Sequence, residues 1–126
     1  MNHLKLGSLG EDLGIKYLQK NNYQIINKNY RKKWGEIDII AFDRKTKETV
    51  FVEVKTLKKL STSSLLPEEE LTKFKIQKLQ KAILSFLSEY HLEDKPWRFD
   101  FIAIEILGFY SKPKIRHYQD VFLDFG

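Results

Sequence analysis

At 126 residues, with 42% hydrophobic and 13% aromatic content, the chain is long and apolar enough to bury a core, which excludes a disordered polyelectrolyte. It holds no cysteine, which excludes disulfides and thiolate metal sites and fits a reducing compartment. The net charge of +5, from 22 basic and 17 acidic residues, suits a polyanionic partner without demanding one.

No apolar stretch reaches the ~18 residues of a membrane span. The opening MNHLKLGSLGEDLG lacks the apolar core of a signal peptide. A cytoplasmic protein with no membrane contact is expected.

Residues 7–21 read as an amphipathic helix, with Leu6, Leu9, Leu13, Tyr17 and Leu18 approximating one stripe. Ser8 is placed to cap it, and Glu11, three residues on, completes a capping-box spacing. Asn21 and Asn22 end it. Residues 23–30, YQIINKNY, form a first strand, followed by the basic cluster Arg31, Lys32 and Lys33. Gly35 permits a turn or bulge before a second strand over 36–42; DRKTKE is a hairpin turn, and residues 49–56 are the third strand.

Residues 57–68 read as a loop, after which Pro67 and three acidic residues open a helix to about Tyr90. Its apolar arc holds Ile76, Leu79, Ile83, Phe86, Leu87 and Tyr90, with Lys78 and Lys81 facing away. A fourth strand over 97–107, a turn at Gly108 and an edge strand over 115–122 complete the order. The pattern α-β-β-β-α-β-β predicts one α/β domain over residues 1–126. Its third and fourth strands should be joined by a parallel, helical crossover in a mixed sheet.

The stretch GEIDIIAFDRKTKETVFVEVKT, residues 35–56, sets charged groups inside strands that otherwise read as core. Burying an unpaired charge costs several kcal/mol. Alternation puts Glu36, Asp38 and Ile40 on one face, with Ile37, Ile39 and Ala41 opposite. In the third strand it puts Phe51, Glu53 and Lys55 together, opposite Val50, Val52 and Val54. A hairpin then brings Asp38 and Glu53 close, where they repel unless a cation intervenes. Such an oxygen-rich pair suits Mg²⁺ or Mn²⁺, with Lys55 facing a bound water or a phosphate. The alternative is a cross-strand salt bridge from Lys55 to Glu36 or Asp38 at a solvated edge.

E-x-D, a turn and E-x-K in this order resemble the PD-(D/E)xK motif of restriction-endonuclease-like folds. With GSLGEDLGIKYL, NYR, GEIDIIAFD, VFVEVKT, KIQKLQKAILSFL and RFDFIAI, the chain resembles the uncharacterised bacterial YraN-like family, which is similar to archaeal Holliday-junction resolvases. Ile37 stands before Asp38 where the motif has proline, and Leu57 follows VKT where relatives often carry arginine.

The resemblance implies a restriction-endonuclease-like α/β fold, a central mixed sheet flanked by helices, and Mg²⁺- or Mn²⁺-dependent hydrolysis of DNA, branched or structured forms included. It implies Asp38 and Glu53 as metal ligands and Lys55 as the group that positions the attacking water. It also makes Glu11 a helix glutamate joining the site and the protein a homodimer, while Glu36, which matches the family's GEID, stands either behind the ligands or on the substrate side. A non-catalytic nucleic-acid-binding module on a retained nuclease fold is the other reading, and a protein-interaction domain with a salt-bridged edge a third.

Arg31, Lys32 and Lys33, together with Lys58, Lys59 and Lys75, are the candidate phosphate contacts, with Trp34 available for stacking. Against this, 31–34 also read as a solvated basic loop, and Lys75 as a side chain snorkelling along the core edge. Asp100 is expected to be structural, paired with Arg98 or a lysine. His3, His91 and His117 show no metal-like spacing, and no acid–base partner is expected for them.

Overall fold

Strands buried on both faces read as continuous apolar runs, and VFVEV in the third strand is such a run. In the computed structural model, which describes residues 3–58, 72–108 and 112–123, that strand lies at the centre of a five-stranded sheet. The elements are α1 (His3–Lys20), β1 (Tyr23–Lys32), β2 (Gly35–Asp43), β3 (Glu48–Lys58), α2 (Lys73–Glu89), β4 (Trp97–Ile106) and β5 (Lys114–Tyr118). The strand order is β1-β2-β3-β4-β5, antiparallel except for the parallel β3–β4 pair that α2 connects. This is the expected mixed-sheet α/β fold, consistent with a restriction-endonuclease-like arrangement.

Among the described residues, each face of the sheet carries one helix. Leu79, Ala82, Ile83, Phe86 and Leu87 of α2 pack on Ile37, Ile40, Phe51, Phe99 and Phe101. Leu18 of α1 packs in a second core with Ile39, Val50, Val52, Ile102 and Ile104. Two glycines one turn apart bring α1 close to the sheet. A Cβ on Gly10 would run into the Thr56 hydroxyl, and one on Gly14 would sit 3.4 Å from Val54.

Several boundaries differ from expectation. Helix α1 already begins at His3, so Ser8 lies inside it and is no cap. Its end is as expected, with Asn22 in the left-handed region at φ 70°. The cap of α2 is Thr72, whose hydroxyl accepts from the Lys75 amide at 3.3 Å. The start expected at Pro67 lies outside the described residues. Strand β5 stops at Tyr118 rather than at 122, because Asp120 turns left-handed at φ 54° and the Val121 amide crosses back to the Phe99 carbonyl at 2.7 Å. Among the described residues no helix is long and apolar enough to cross a membrane.

Candidate functional site

Strands β2 and β3 pair from Asp43/Glu48 only as far as Ile39/Val52. One step beyond, the Val54 amide donates to Asp38 Oδ2 at 2.8 Å instead of to a backbone carbonyl. The carboxylate thus closes the ladder where the strands part. Opposite it on β1, Asn29 is left-handed at φ 54°. Alternation fails at this point: Ile37 packs with Ile40 on the α2 face, while Ile39 and Ala41 face α1. The expectation that Ile37, Ile39 and Ala41 share a face is therefore wrong, since strict period-two geometry assumes an unbroken ladder.

Alternation does hold in β3. Glu53 and Lys55 are half-buried between buried Val52, Val54 and Thr56, on the face that Phe51 presents to α2. The Asp38 and Glu53 carboxyls meet and share a hydrogen bond. Burial, and then the charges of Glu11 and Glu36, push Asp38 up to about 6, although the Val54 amide pulls the other way. Burial and the Asp38 charge hold Glu53 well above the usual carboxylate range, with Lys75 opposing. Burial also raises Glu11, which hydrogen-bonds Asn29 and feels Glu36; Lys28 and Arg31 oppose the rise.

The close seat of α1 on β3 puts Glu11 near the pair, and its expected capping contact is absent. Among the described residues, no three His, Cys, Asp or Glu side chains close into a ready-made cation cage. The cross-strand bridge to Lys55 is not formed either: Glu36 pairs instead with Arg31 at 3.3 Å, both exposed.

Beside Glu53 opens a cavity of about 390 Å³, lined by Lys32, Lys33, Gly35, Glu36, Glu53, Lys75, Lys78 and Leu79. It exists because the β1–β2 turn lies directly on α2: a Cβ on Gly35 would strike the Lys78 carbonyl. Lys75 is exposed on this wall rather than folded along the core edge. Lys78, expected to face away, lines the cavity too, because the turn reaches past the apolar arc of the helix. Lys32 and Lys33 belong to the cavity, whereas Arg31 is engaged by Glu36. Lys58 is exposed at the end of β3, and Lys59 lies outside the described residues.

A second buried polar cluster occupies the α1 face. Arg98 binds Asp100 through Nε at 2.9 Å, and Asp43 and Glu48 through Nη1, each at 2.9 Å. It also donates to the Tyr23 hydroxyl at 2.7 Å. Asp100 further accepts from the Asp120 amide at 3.0 Å and contacts His117 Nε2 at 2.7 Å, while His117 Nδ1 meets the Tyr17 hydroxyl at 3.0 Å. Contrary to expectation, His117 therefore has acid–base partners on both ring nitrogens. The partners come from positions 17 and 100: the β4–β5 pairing sets His117 beside β4, and α1 supplies Tyr17. The pairing of Asp100 with Arg98 is as expected.

The chain matches the model of the uncharacterised protein family UPF0102 over residues 10–104, a span that includes Glu11, Asp38, Glu53, Lys55 and Asp100. It belongs to that family. It is 41% identical to a UPF0102 protein of Geotalea uraniireducens over 93% of this chain and 88% of that protein. A UPF0102 protein of Geobacter sulfurreducens is 42% identical over the same shares, and one of Caldicellulosiruptor bescii is 42% identical over 97% of this chain and all of its own length.

Proposed function

We propose that this UPF0102 protein is a metal-dependent endodeoxyribonuclease that hydrolyses phosphodiester bonds, with branched or structured DNA among its substrates. The observation that carries the reading is the Asp38–Glu53 pair. Two carboxyls meet where a ladder ends: burial and the neighbouring charges of Glu11 and Glu36 raise Asp38, and burial and Asp38 raise Glu53. A fold gains nothing in stability from such repulsion, so the pair fits a cation that relieves it.

The donor set fits Mg²⁺ or Mn²⁺, which keep several waters and need only one or two protein carboxylates. Asp38 and Glu53 would hold the ion, with the Glu11 charge beside them. When bound, such an ion polarises a phosphoryl oxygen and lowers the pKa of bound water. Lys55, one alternation beyond Glu53 on the same face, orients the attacking water and balances charge developing on the phosphate. Lys32, Lys33, Lys75 and Lys78 hold flanking phosphates along the cavity.

The test is cleavage of labelled four-way junctions, flaps, single strands and plain duplex in Mg²⁺ or Mn²⁺, with EDTA as the stop. Asp38→Asn and Glu53→Gln should each lower turnover by orders of magnitude, while Lys55→Ala keeps metal binding and loses most of the rate. Activity that survives in all three variants is a contaminant. An inactive wild type that still binds metal and DNA would favour the non-catalytic binding module.

A further inference from the structure

The β1–β2 turn carries a feature that the acidic pair does not use. Trp34 sits at its tip with 46% of its surface exposed, the second tryptophan of the chain being half-buried Trp97. An exposed indole on a turn is commonly mobile, but this one is fixed: its Nε1–H donates to Ser85 Oγ of α2 at 2.7 Å. The turn itself is seated on α2 at Gly35.

Trp34 lines a shallow groove with Tyr30, Lys32, Leu84, Ser85 and Glu89. Lys32 lines both this groove and the cavity beside Glu53, so the two adjoin at that side chain. Its ammonium lies 5.3 Å from the centre of the Tyr30 ring and 3.4 Å from Glu89 Oε1, which holds it on the shared wall. An apolar aromatic face, anchored at one edge and set beside cations that lead to an acidic pair, matches one chemistry. It matches a nucleotide whose base has a free π-face and whose phosphate points towards the lysines.

We infer that Trp34 is a base-stacking subsite for an unpaired nucleotide flanking the phosphate held at the acidic pair. The occupant is a single-stranded stretch of DNA such as a flap or a gap edge. The inference rests on the nuclease reading and narrows its substrate class. A base inside an uninterrupted duplex has both faces stacked on its neighbours and cannot use the platform, so the subsite discriminates by strand pairing rather than by sequence. Charge complementarity favours this occupant over an apolar peptide, because Lys32 and Lys33 flank the indole and Lys78 lies on the adjoining wall.

The test is binding by fluorescence anisotropy in Ca²⁺, with the full chain and two DNAs of equal phosphate number, a single-stranded oligomer and a blunt duplex. Trp34→Ala should weaken single-strand binding about 5- to 100-fold and leave duplex binding within about twofold. Trp34→Phe should keep most of the affinity, and it guards against a folding defect in the alanine variant. An oligomer with abasic sites should bind the wild type as weakly as the intact oligomer binds Trp34→Ala, and lose little more with that variant. Equal losses on both DNAs would make Trp34 merely structural and overturn the subsite. Unchanged single-strand binding would overturn the subsite alone and leave the nuclease reading standing. Failure of the wild type to bind either DNA would overturn both.

Discussion

Two groups of buried carboxylates lie one register step apart on opposite faces of the same strand pair, since Val52 is paired with Asp100 and Glu53 with Phe101. On the α1 face, Asp100 and Asp43 are buried but saturated. His117, Arg98 and backbone amides offset the cost of burial and hold both below the usual carboxylate range. On the α2 face, Asp38 and Glu53 bear the same cost with mainly each other for company, and both are pushed up. One group is complete and supports the fold. The other is incomplete, and the missing partner is the functional question.

The largest effect expected on stability is at the complete group. The Arg98 side chain is 4% exposed, and it neutralises Asp43, Glu48 and Asp100 together. Arg98→Met leaves Asp43 and Asp100 buried without their shared cation, so it should cost about 3–5 kcal/mol, close to the whole stability of a small domain. Urea unfolding monitored by circular dichroism reads this directly. A loss below about 1 kcal/mol would erase the distinction between the two groups.

A smaller effect of opposite sign is expected on the other face. Asp38→Asn keeps an oxygen for the Val54 amide while removing one of the repelling charges, so stability without metal should be unchanged or rise by about 1–2 kcal/mol. The pH dependence has a definite sign. The folded protein holds Asp38 at about 6, above the ordinary carboxylate value, so its contribution is most favourable in acid and is lost as pH rises through about 6. The advantage of Asp38→Asn over wild type should therefore be small at about pH 4 and grow towards neutrality. Asp100 behaves conversely: its folded value is depressed, so its stabilisation is present at neutral pH and fades as acid protonates it. Millimolar Mg²⁺ should raise the melting temperature of wild type more than that of Asp38→Asn, because a ligand of the folded state shifts unfolding. A clear loss of metal-free stability in Asp38→Asn would instead make the acidic pair structural.

Much of this was legible in the sequence, for local reasons. Apolar runs, the DRKTKE turn and the helical crossover specify the sheet, and the order E-x-D, turn, E-x-K places Asp38 beside Glu53. What the sequence hides depends on departures from regular geometry or on distant pairing. The face switch at Asp38 arises because a side chain replaces a ladder carbonyl, which no periodicity rule contains. The partners of His117 lie 100 and 17 residues away. The glycine pair in GEDLG did carry a signal: positions 10 and 14 share a helix face, and small residues there announce a close approach to the sheet. Lys78 lines the cavity against expectation because helix periodicity reports which side meets the core, not where a neighbouring turn lies.

The smallest effect expected separates the two regions by charge alone. Lys32 and Lys33 line the cavity, whereas Lys45 and Lys47 lie on the β2–β3 turn beside the Arg98 cluster. Removing either pair changes the net charge equally, so any difference between them reports position. Each cation that contacts a phosphate contributes about 0.9 to the slope of log K against log salt on duplex DNA. Replacing Lys32 and Lys33 by alanine should flatten that slope by about one to two, because Glu89 already engages Lys32, and replacing Lys45 and Lys47 should leave it unchanged. Arg31→Ala should fall between them, below one unit, because Glu36 already engages that guanidinium and must release it before a phosphate binds. Equal flattening by both lysine pairs would mean diffuse attraction to a basic surface, and the cavity would lose its claim to be the binding face.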